Sequence, residues 1–515
     1  MKGIDLYSGI GGWTLGMKFS KFKNVNSFEW NKDSLDTHNK NFGTSLNVVD
    51  IRKLKLKDLP GPGELDFVVG SPPCTQFSYS NRGGSGDISD GLVDVYKFLE
   101  IVEYTKPKFW VMENVPRVKK IIDQVISEDK NFKKFKSLIK FNQVVNISDY
   151  GVPQKRKRMI CGDFPFETFL SYKGLLNKKT LGDVVKSLNE NPIKDPNYNI
   201  SLNSVVDHNK EVCLSKTEKR VNQNNKISHH IYNKMSFPDR MDVPSRTITS
   251  TCTRVSRESI IVEENKKFRR LTLREKGCVQ GFPINFQFFG NTFSSKEKMI
   301  GNSIPPILTY LIFESMKGTP VGKLKFPDEI GLIDFSGPED NPQKTPPPTP
   351  KNNYNQKRRF RFCIPNLRLG SGVRFELNNM FEKDHWGISF FYGNSKSIYE
   401  LKLNKEIKLY LEEILNEKLE IYFQKHSSLL SLKSNELQDK WISKENNFYP
   451  FKIIDEIGNL VIYISETLEN KLINMESFHP LFDGKINKKI IDNFNIILTG
   501  LIVGTTINLY LQNEG

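Results

Sequence analysis

The segment Gly70-Ser71-Pro72-Pro73-Cys74-Thr75-Gln76-Phe77-Ser78 places a thiol behind two prolines, just after the mostly apolar run 65–69. A strand halted by Gly-Ser-Pro-Pro presents the next side chain at a sheet edge, where a nucleophile can meet a substrate. Thiolate is the best nucleophile among side chains, and a site can lower its ordinary pKa of about 8.5. For an isolated cysteine, a small buried thiol after a strand is the commoner explanation. Its neighbours along the chain reverse that balance.

Three further motifs carry chemistry. Asp5-Leu6-Tyr7-Ser8-Gly9-Ile10-Gly11-Gly12-Trp13 follows the first apolar run and leads into a helix pattern, so a ligand can approach backbone near a helix N-terminus. A tight turn explains those glycines equally well, and the spacing lacks a full dinucleotide fingerprint and a P-loop lysine. Glu29 ends the second expected strand and Asp50 follows the third; they suit a ribose hydroxyl and an adenine amino group, or are two solvated loop carboxylates. Glu113-Asn114-Val115-Pro116 follows Phe109–Met112, where a partly desolvated carboxyl group can serve proton transfer, or merely begin a helix. In Tyr150-Gly151-Val152-Pro153-Gln154-Lys155-Arg156-Lys157-Arg158, residues Gln154, Arg156 and Arg158 alternate and would share one face of a strand. Such a face can hold a carboxylate and a nucleic-acid phosphate; a solvated basic strand is the alternative.

The elements that must position these groups alternate over the first 165 residues. Ile4–Tyr7, Val25–Trp30, Leu46–Val49, Phe67–Val69 and Phe109–Met112 read as strands, with helix patterns near 12–20, 34–40, 91–104 and 118–140. That alternation predicts βα units on a parallel sheet covered on both faces. Residues 170–240 are polar and hard to assign, and order returns at Arg269–Phe282 and Lys298–Phe313. Six prolines between Ser336 and Arg359 predict an extended spacer.

Composition bounds the partners. The chain has 515 residues, too many for one core, and a net charge of +16. A cationic excess of that size points to a polyanion, nucleic acid before membrane, with a lysine-rich proteome as the alternative. The six cysteines include no C-x-x-C pair, which argues against a structural zinc site or disulfide framework and fits a reducing compartment. Met1-Lys2-Gly3 runs directly into the first apolar run, and no stretch approaches about 18 apolar residues, so neither signal peptide nor membrane span is expected. The reading is a cytoplasmic protein.

Six blocks together identify a resemblance. Asp5–Gly12, Gly70–Ser78, Glu113–Val115, Gln154-x-Arg156-x-Arg158, Arg269-x-Leu271-Thr272-x-Arg274-Glu275 with Gly281-Phe282-Pro283, and Gly301-Asn302-Ser303-Ile304-Pro305 stand in the order found in cytosine-C5 DNA methyltransferases. The chain resembles that family over residues 1–330. Tyr7, Thr75 and Met299 depart from its usual residues without removing a catalytic group.

The resemblance implies an α/β, Rossmann-like S-adenosylmethionine-dependent methyltransferase domain over 1–165, completed by 298–330. A small target-recognition domain would occupy 166–297, a linker 336–359 and a separate α+β accessory domain 360–515. It implies Cys74 as the nucleophile on C6 of a cytosine rotated out of duplex DNA, with Glu113 at N3 and the exocyclic amine. Arg158 would orient Glu113 and the base, while Arg156 and Gln154 support the Cys74 loop. S-adenosylmethionine would lie over Tyr7, Gly9, Gly11 and Pro72, with Glu29 on the ribose, Asp50 beside the adenine, Trp30 and Ile51 around the ring, and Asn302 and Ser303 closing the site. No metal is implied. Ser78, Gln154 and Arg246 are candidate DNA contacts, and Arg220, Asn222, Arg254 and Arg257 candidate readers of the base sequence. One compact core without large regulatory modules suggests a restriction–modification setting, with double-stranded DNA and a cognate restriction endonuclease as candidate partners and a monomer favoured. RNA methylation within the same superfamily, and a non-enzymatic DNA-binding protein, are the rival readings for this part.

Residues 360–515 match nothing in that pattern. Asp384 with Glu400-Leu401-Lys402 fits the loose D…ExK arrangement of metal-dependent nucleases, but acid-x-Lys triplets recur by chance in so charged a segment. A DNA-contacting or protein-interaction module is the preferred reading there. Trp386, Phe390, Phe391 and Tyr392 are expected to form its core.

Overall fold

The computed structural model describes residues 1–74, 77, 88–205, 208–227, 235–330, 345–351, 361–369, 372–378, 385–394, 397–431, 437, 451–469, 471, 473–482, 485–486 and 488–512. They fall into two compact units that divide after Asn352.

In the first unit the strands are β1 (Lys2–Leu6), β2 (Lys23–Phe28), β3 (Phe67–Gly70), β4 (Phe109–Asn114), β5 (Phe141–Asn146), β6 (Gln154–Lys155) and β7 (Lys157–Asp163). Helices α1 (Gly12–Phe19), α2 (Lys32–Phe42), α3 (Ser89–Thr105) and α4 (Pro116–Glu128) connect the first of them. Six strands make one sheet in the order β2-β1-β3-β4-β7-β5. β3 is buried throughout, as a central strand covered on both faces must be.

The sheet is mixed rather than wholly parallel. β1 to β4 run parallel, but β7 lies antiparallel to both β4 and β5. This reversal matters for the site. Leu6, Gly70 and Met112 are in register at the carboxyl ends of three parallel strands. Asn114 pairs with Met159 near the start of β7. Tyr7, Ser71, Glu113 and Arg158 therefore meet along one sheet edge, where ligands of open α/β sheets bind.

Leu46–Val49 forms no strand. Val49 donates one backbone bond to Glu29 O (2.9 Å), but Asp50 then accepts from Arg52 N (3.1 Å) and caps a 3₁₀ turn over Ile51–Lys53. The expected helix 118–140 stops at Glu128, because the Asp129 carboxylate accepts from the Asn131 and Phe132 amides, a local turn that competes with the helix.

Beyond β7 come α5 (Phe166–Ser171), α6 (Leu181–Leu188), α7 (Lys216–Ile227), α8 (Leu273–Val279), α9 (Phe293–Asn302) and α10 (Pro306–Lys317). Thr180, Thr272 and Thr292 start α6, α8 and α9 with reciprocal capping boxes. One apolar core runs from Ile10 and Trp13 through Leu181 and Phe282 to Leu308. α10 lies on α1 so closely that a Cβ on Gly16 would fall 2.2 Å from Thr309 Oγ1.

Of the proline-rich stretch 336–359 only residues 345–351 are described, and these are anchored. Thr345 is buried, Pro348 O accepts from Arg254 Nη1 (3.3 Å), and Lys351 N donates to Glu218 Oε1 (3.1 Å). Prolines leave carbonyls without ladder partners, and Arg254 supplies the donor.

The second unit carries a four-stranded antiparallel sheet, Arg361–Arg368, Arg374–Asn378, Gly387–Asn394 and Ser397–Leu401 in sequence order. Among the described residues, Phe451–Leu468 and Phe494–Gln512 are its longest helices. Trp386, Phe390 and Tyr392 belong to its apolar core rather than to a stacking surface, and Phe391 is buried with the Arg374 guanidinium over its ring (4.7 Å). Glu400 and Lys402 are exposed at the end of the last strand, and Asp384 lies outside the described residues. Among the described residues no cluster of His, Cys, Asp and Glu could hold a metal, and no helix is long and apolar enough to cross a membrane.

Candidate active site

The turn carrying Cys74 is tied down on both sides. Asn114 Nδ2 donates to Pro72 O (3.0 Å), and Trp13 Nε1 donates to Ser71 Oγ (3.1 Å). Phe77 N donates to Cys74 O (3.0 Å), closing the turn. A Cβ on Gly70 would fall 2.2 Å from Leu6 O, so only glycine lets β3 approach β1 this closely before the turn. Neither Asn114 nor Trp13 was expected to hold the thiol. Each sits one place beyond a recognised motif residue, with no periodicity to mark its target.

Glu113 is buried and paired. Arg158 Nε lies 2.8 Å from Glu113 Oε1, and both side chains are nearly enclosed. A charged pair so desolvated is stiff and directional. Burial pushes the Cys74 thiol up, the nearby Glu113 adds to that, and Arg158 and Arg156 pull it back down. The resting thiol is therefore protonated near neutrality. Alkylation of Cys74 by iodoacetamide, followed by peptide mass spectrometry, will accelerate with rising pH through a midpoint above about 8.5, the ordinary thiol value.

Arg156 braces the site without facing it. It is buried, with Nη1 on Ile248 O (2.8 Å) and Nη2 on Gly301 O (2.8 Å). Gly301 allows this, since a Cβ there would sit 2.5 Å from Ser250 N. Its expected catalytic role is thus a positioning one, joining the 248–250 segment to α9 and adding positive field at Cys74. Nor do Gln154, Arg156 and Arg158 share one strand face: β6 pairs with Ser245–Arg246, and the chain passes to β7 through Arg156.

Gln154 is fully buried. Its amide donates to Gln280 Oε1 (2.7 Å) and accepts from Ile248 N (3.0 Å). Arg246 is held internally as well, by Asp239 Oδ1 (2.5 Å) and Ser259 O (3.0 Å). Ser78 lies outside the described residues. Of the candidate sequence readers, Asn222 is buried and donates to Arg254 O (3.2 Å), while Arg254 is buried between Glu218 and Glu211. Both are structural. Arg257 pairs with Glu258 (3.1 Å), and Arg220 is half-buried on α7.

The glycine turn forms a second pole of the site. Tyr7, Gly9 and Gly11 adopt positive φ of 55°, 55° and 95°. A Cβ on Gly11 would strike Phe42, whereas nothing lies within 4 Å of one built on Gly9. Glu29 Oε2 accepts from Gly9 N (2.8 Å), and Oε1 from Trp30 N (3.0 Å) and Asn31 N (2.7 Å). Burial raises the Glu29 pKa against those three donors. Ser8 Oγ is buried without a partner, Trp30 is 60% exposed, Ile51 is buried and Asp50 exposed. Pro72, its carbonyl held by Asn114, stands beside this edge. Asn302 is exposed at the end of α9, and Ser303 Oγ caps it on Ile300 O (2.8 Å).

A thiol, a carboxylate–guanidinium pair and a glycine turn with its acid thus line one sheet edge in the order the six blocks require. A family model for C-5 cytosine-specific DNA methylases matches residues 1–318. The chain belongs to that family. Among its relatives, the type II methyltransferase M.FnuDI of Fusobacterium nucleatum is 27% identical over 64% of this chain and 98% of its own length. The type II methyltransferase M1.HphI of Haemophilus parahaemolyticus is 29% identical over 61% of this chain and 86% of its own. A solved structure titled as a putative DNA modification methyltransferase encoded within a prophage of E. coli is 23% identical, with a TM-score of 0.44 over 62% of this chain and 99% of that one.

Proposed function

We propose that this C-5 cytosine methylase transfers a methyl group from S-adenosylmethionine to C5 of a cytosine rotated out of a specific duplex DNA site, through a covalent bond between Cys74 and C6. The observation that carries it is Cys74 and the Glu113–Arg158 pair on one sheet edge, beside the glycine turn. C5 of cytosine is a weak nucleophile. Once the thiol has given up its proton to water, attack of the Cys74 thiolate on C6 ends the ring's aromaticity and moves electron density to C5. Glu113, held by Arg158 Nε, contacts N3 and the exocyclic amine, and a proton at N3 stabilises that charge. C5 then takes the methyl group, and loss of the C5 proton with departure of the Cys74 sulfur restores the ring. Inside a duplex C6 is out of reach, so the base must leave the stack at a cost of a few kcal/mol. The net charge of +16 favours the phosphate contacts that offset it.

The residues present fit the methyl donor. The partnerless Ser8 hydroxyl, the open space at Gly9 and the exposed Trp30 face are features a bound ligand would use. Tyr7, Gly9, Gly11, Glu29, Trp30, Asp50, Ile51, Pro72, Asn302 and Ser303 would hold it, with Glu29 on the ribose and Asp50 near the adenine. Bound there, S-adenosylmethionine supplies an electrophilic methyl group. Being matched over nearly their whole lengths by type II methyltransferases supports a modification role in a restriction–modification system, with a cognate endonuclease as partner. The unit after Asn352 would act as an accessory domain.

Bisulfite sequencing of DNA from cells expressing the protein will show one recurrent sequence context protected at cytosine. In vitro, labelled methyl groups will enter duplex DNA. Transfer to RNA alone, or protection with no common context, overturns the reading.

A further inference from the structure

Arg52 has no part in the site described so far, yet its guanidinium makes four hydrogen bonds to the start of α3. Nε and Nη2 fork onto Asp94 (2.9 and 2.7 Å), Nη1 binds Asp90 Oδ1 (2.6 Å) and Nη2 also binds Asp90 O (3.0 Å). A two-pronged carboxylate contact fixes direction as well as distance. Arg52 belongs to the Ile51–Lys53 turn capped by Asp50, the two residues assigned to the adenine end of the methyl-donor site. Asp94 is buried, and its Oδ1 also accepts from Tyr7 Oη (3.2 Å), at the top of β1. The clamp therefore gathers the glycine turn, the adenine-side turn and α3 at one carboxylate.

The same end of α3 seats the nucleophile's turn. Gly91 lies in its first turn, and a Cβ there would fall 2.6 Å from the Phe77 ring. Phe77 is fully buried, and its amide closes the turn on Cys74 O. A continuous packed path thus runs from Asp50 and Ile51 through Arg52, Asp90 and Asp94 to Gly91, Phe77 and Cys74. Van der Waals contact along most of it leaves little slack.

We propose that Arg52 is a positioning residue that couples occupancy of the adenine end of the methyl-donor site to the placement of Cys74. Resting on the proposed methyl-donor site, it deepens that reading: the nucleophile is set for attack only when its co-substrate is in place. Ligand contacts at Asp50 and Ile51 fix the 3₁₀ turn, the forked guanidinium fixes the first turns of α3, and Gly91 fixes Phe77.

The test uses the full chain, S-adenosylhomocysteine as the site probe and iodoacetamide alkylation of Cys74 read by peptide mass spectrometry. In the parent protein, saturating S-adenosylhomocysteine will shift the alkylation rate by about fivefold or more, the lower range of coupling between sites. In Arg52→Met the shift will fall below about twofold, while calorimetry still shows the probe binding. Arg52→Lys keeps the charge but loses the fork, and will recover only part of the shift. Gly91→Ala leaves the clamp intact but displaces Phe77, so it too will lose the shift at unchanged probe affinity. An Arg52→Met protein that binds the probe and keeps the full shift overturns the proposal. So does a parent whose alkylation ignores bound probe. Failure of the probe to bind the parent sinks the methyl-donor site itself, and the coupling with it.

Discussion

Cys74→Ala will lose methyl transfer by about 10⁴-fold or more, the scale on which deletion of an enzyme nucleophile acts. It will also fail to form a covalent complex with duplex DNA containing 5-fluorocytosine. In the parent, fluorine at C5 cannot leave as a cation, so the Cys74–C6 bond persists after methylation and the complex survives denaturing electrophoresis. Folding will be nearly unaffected, because the turn is held by the Asn114–Pro72 and Trp13–Ser71 bonds and not by the thiol. DNA affinity will hold for the same reason, since truncating sulfur leaves the phosphate contacts and the base pocket in place. The two readouts separate a chemical role from a structural one: a Cys74→Ala protein that methylates at the parent rate removes the nucleophile from the mechanism. Capture through another cysteine, such as the exposed Cys213, would place the nucleophile elsewhere.

What could be read from the sequence follows from where rigid chain meets chemistry. Cys74 and Glu113 each end a short apolar strand, so their type and their place at the sheet edge are encoded within a few residues. Arg158 was legible as a motif member, yet its meeting with Glu113 depends on β7 running antiparallel, which no local pattern announces. Gln154, Asn222 and Arg254 look in the sequence like solvent-facing polar groups, but each is buried on partners far along the chain: Arg254 binds Glu218 and Glu211, and Gln154 binds Gln280. Residue type reports hydrogen-bonding capacity and not whether that capacity is met internally. Leu46–Val49 failed as a strand for a related reason, because Asp50 redirects the backbone before a ladder forms. Asn114, Trp13 and Arg52 were invisible as site residues because their targets are backbone or side-chain atoms brought near only by the sheet.

Glu113→Gln will lower turnover by about 10²–10⁴-fold, the range supplied by one positioned proton-transfer group. Glutamine keeps the shape and can still accept from Arg158 Nε, so the change isolates charge from packing. Two losses combine. The amide cannot hold the proton that N3 needs as electron density builds, and Arg158 becomes a nearly enclosed cation without its counter-ion. The first slows attack and transfer together; the second lowers stability by about 1–3 kcal/mol, the cost of an incompletely satisfied buried group. Capture by 5-fluorocytosine will slow in parallel with turnover but still end at Cys74, because the nucleophile is intact. Removal of the like charge also lowers the Cys74 pKa, since Glu113 is among the groups raising it. Iodoacetamide will therefore alkylate Cys74 faster in Glu113→Gln than in the parent at neutral pH, even as methyl transfer falls. A more reactive thiol in a slower enzyme is the signature of a carboxylate acting on the base; a variant slower in both reactions would assign Glu113 to thiol activation instead.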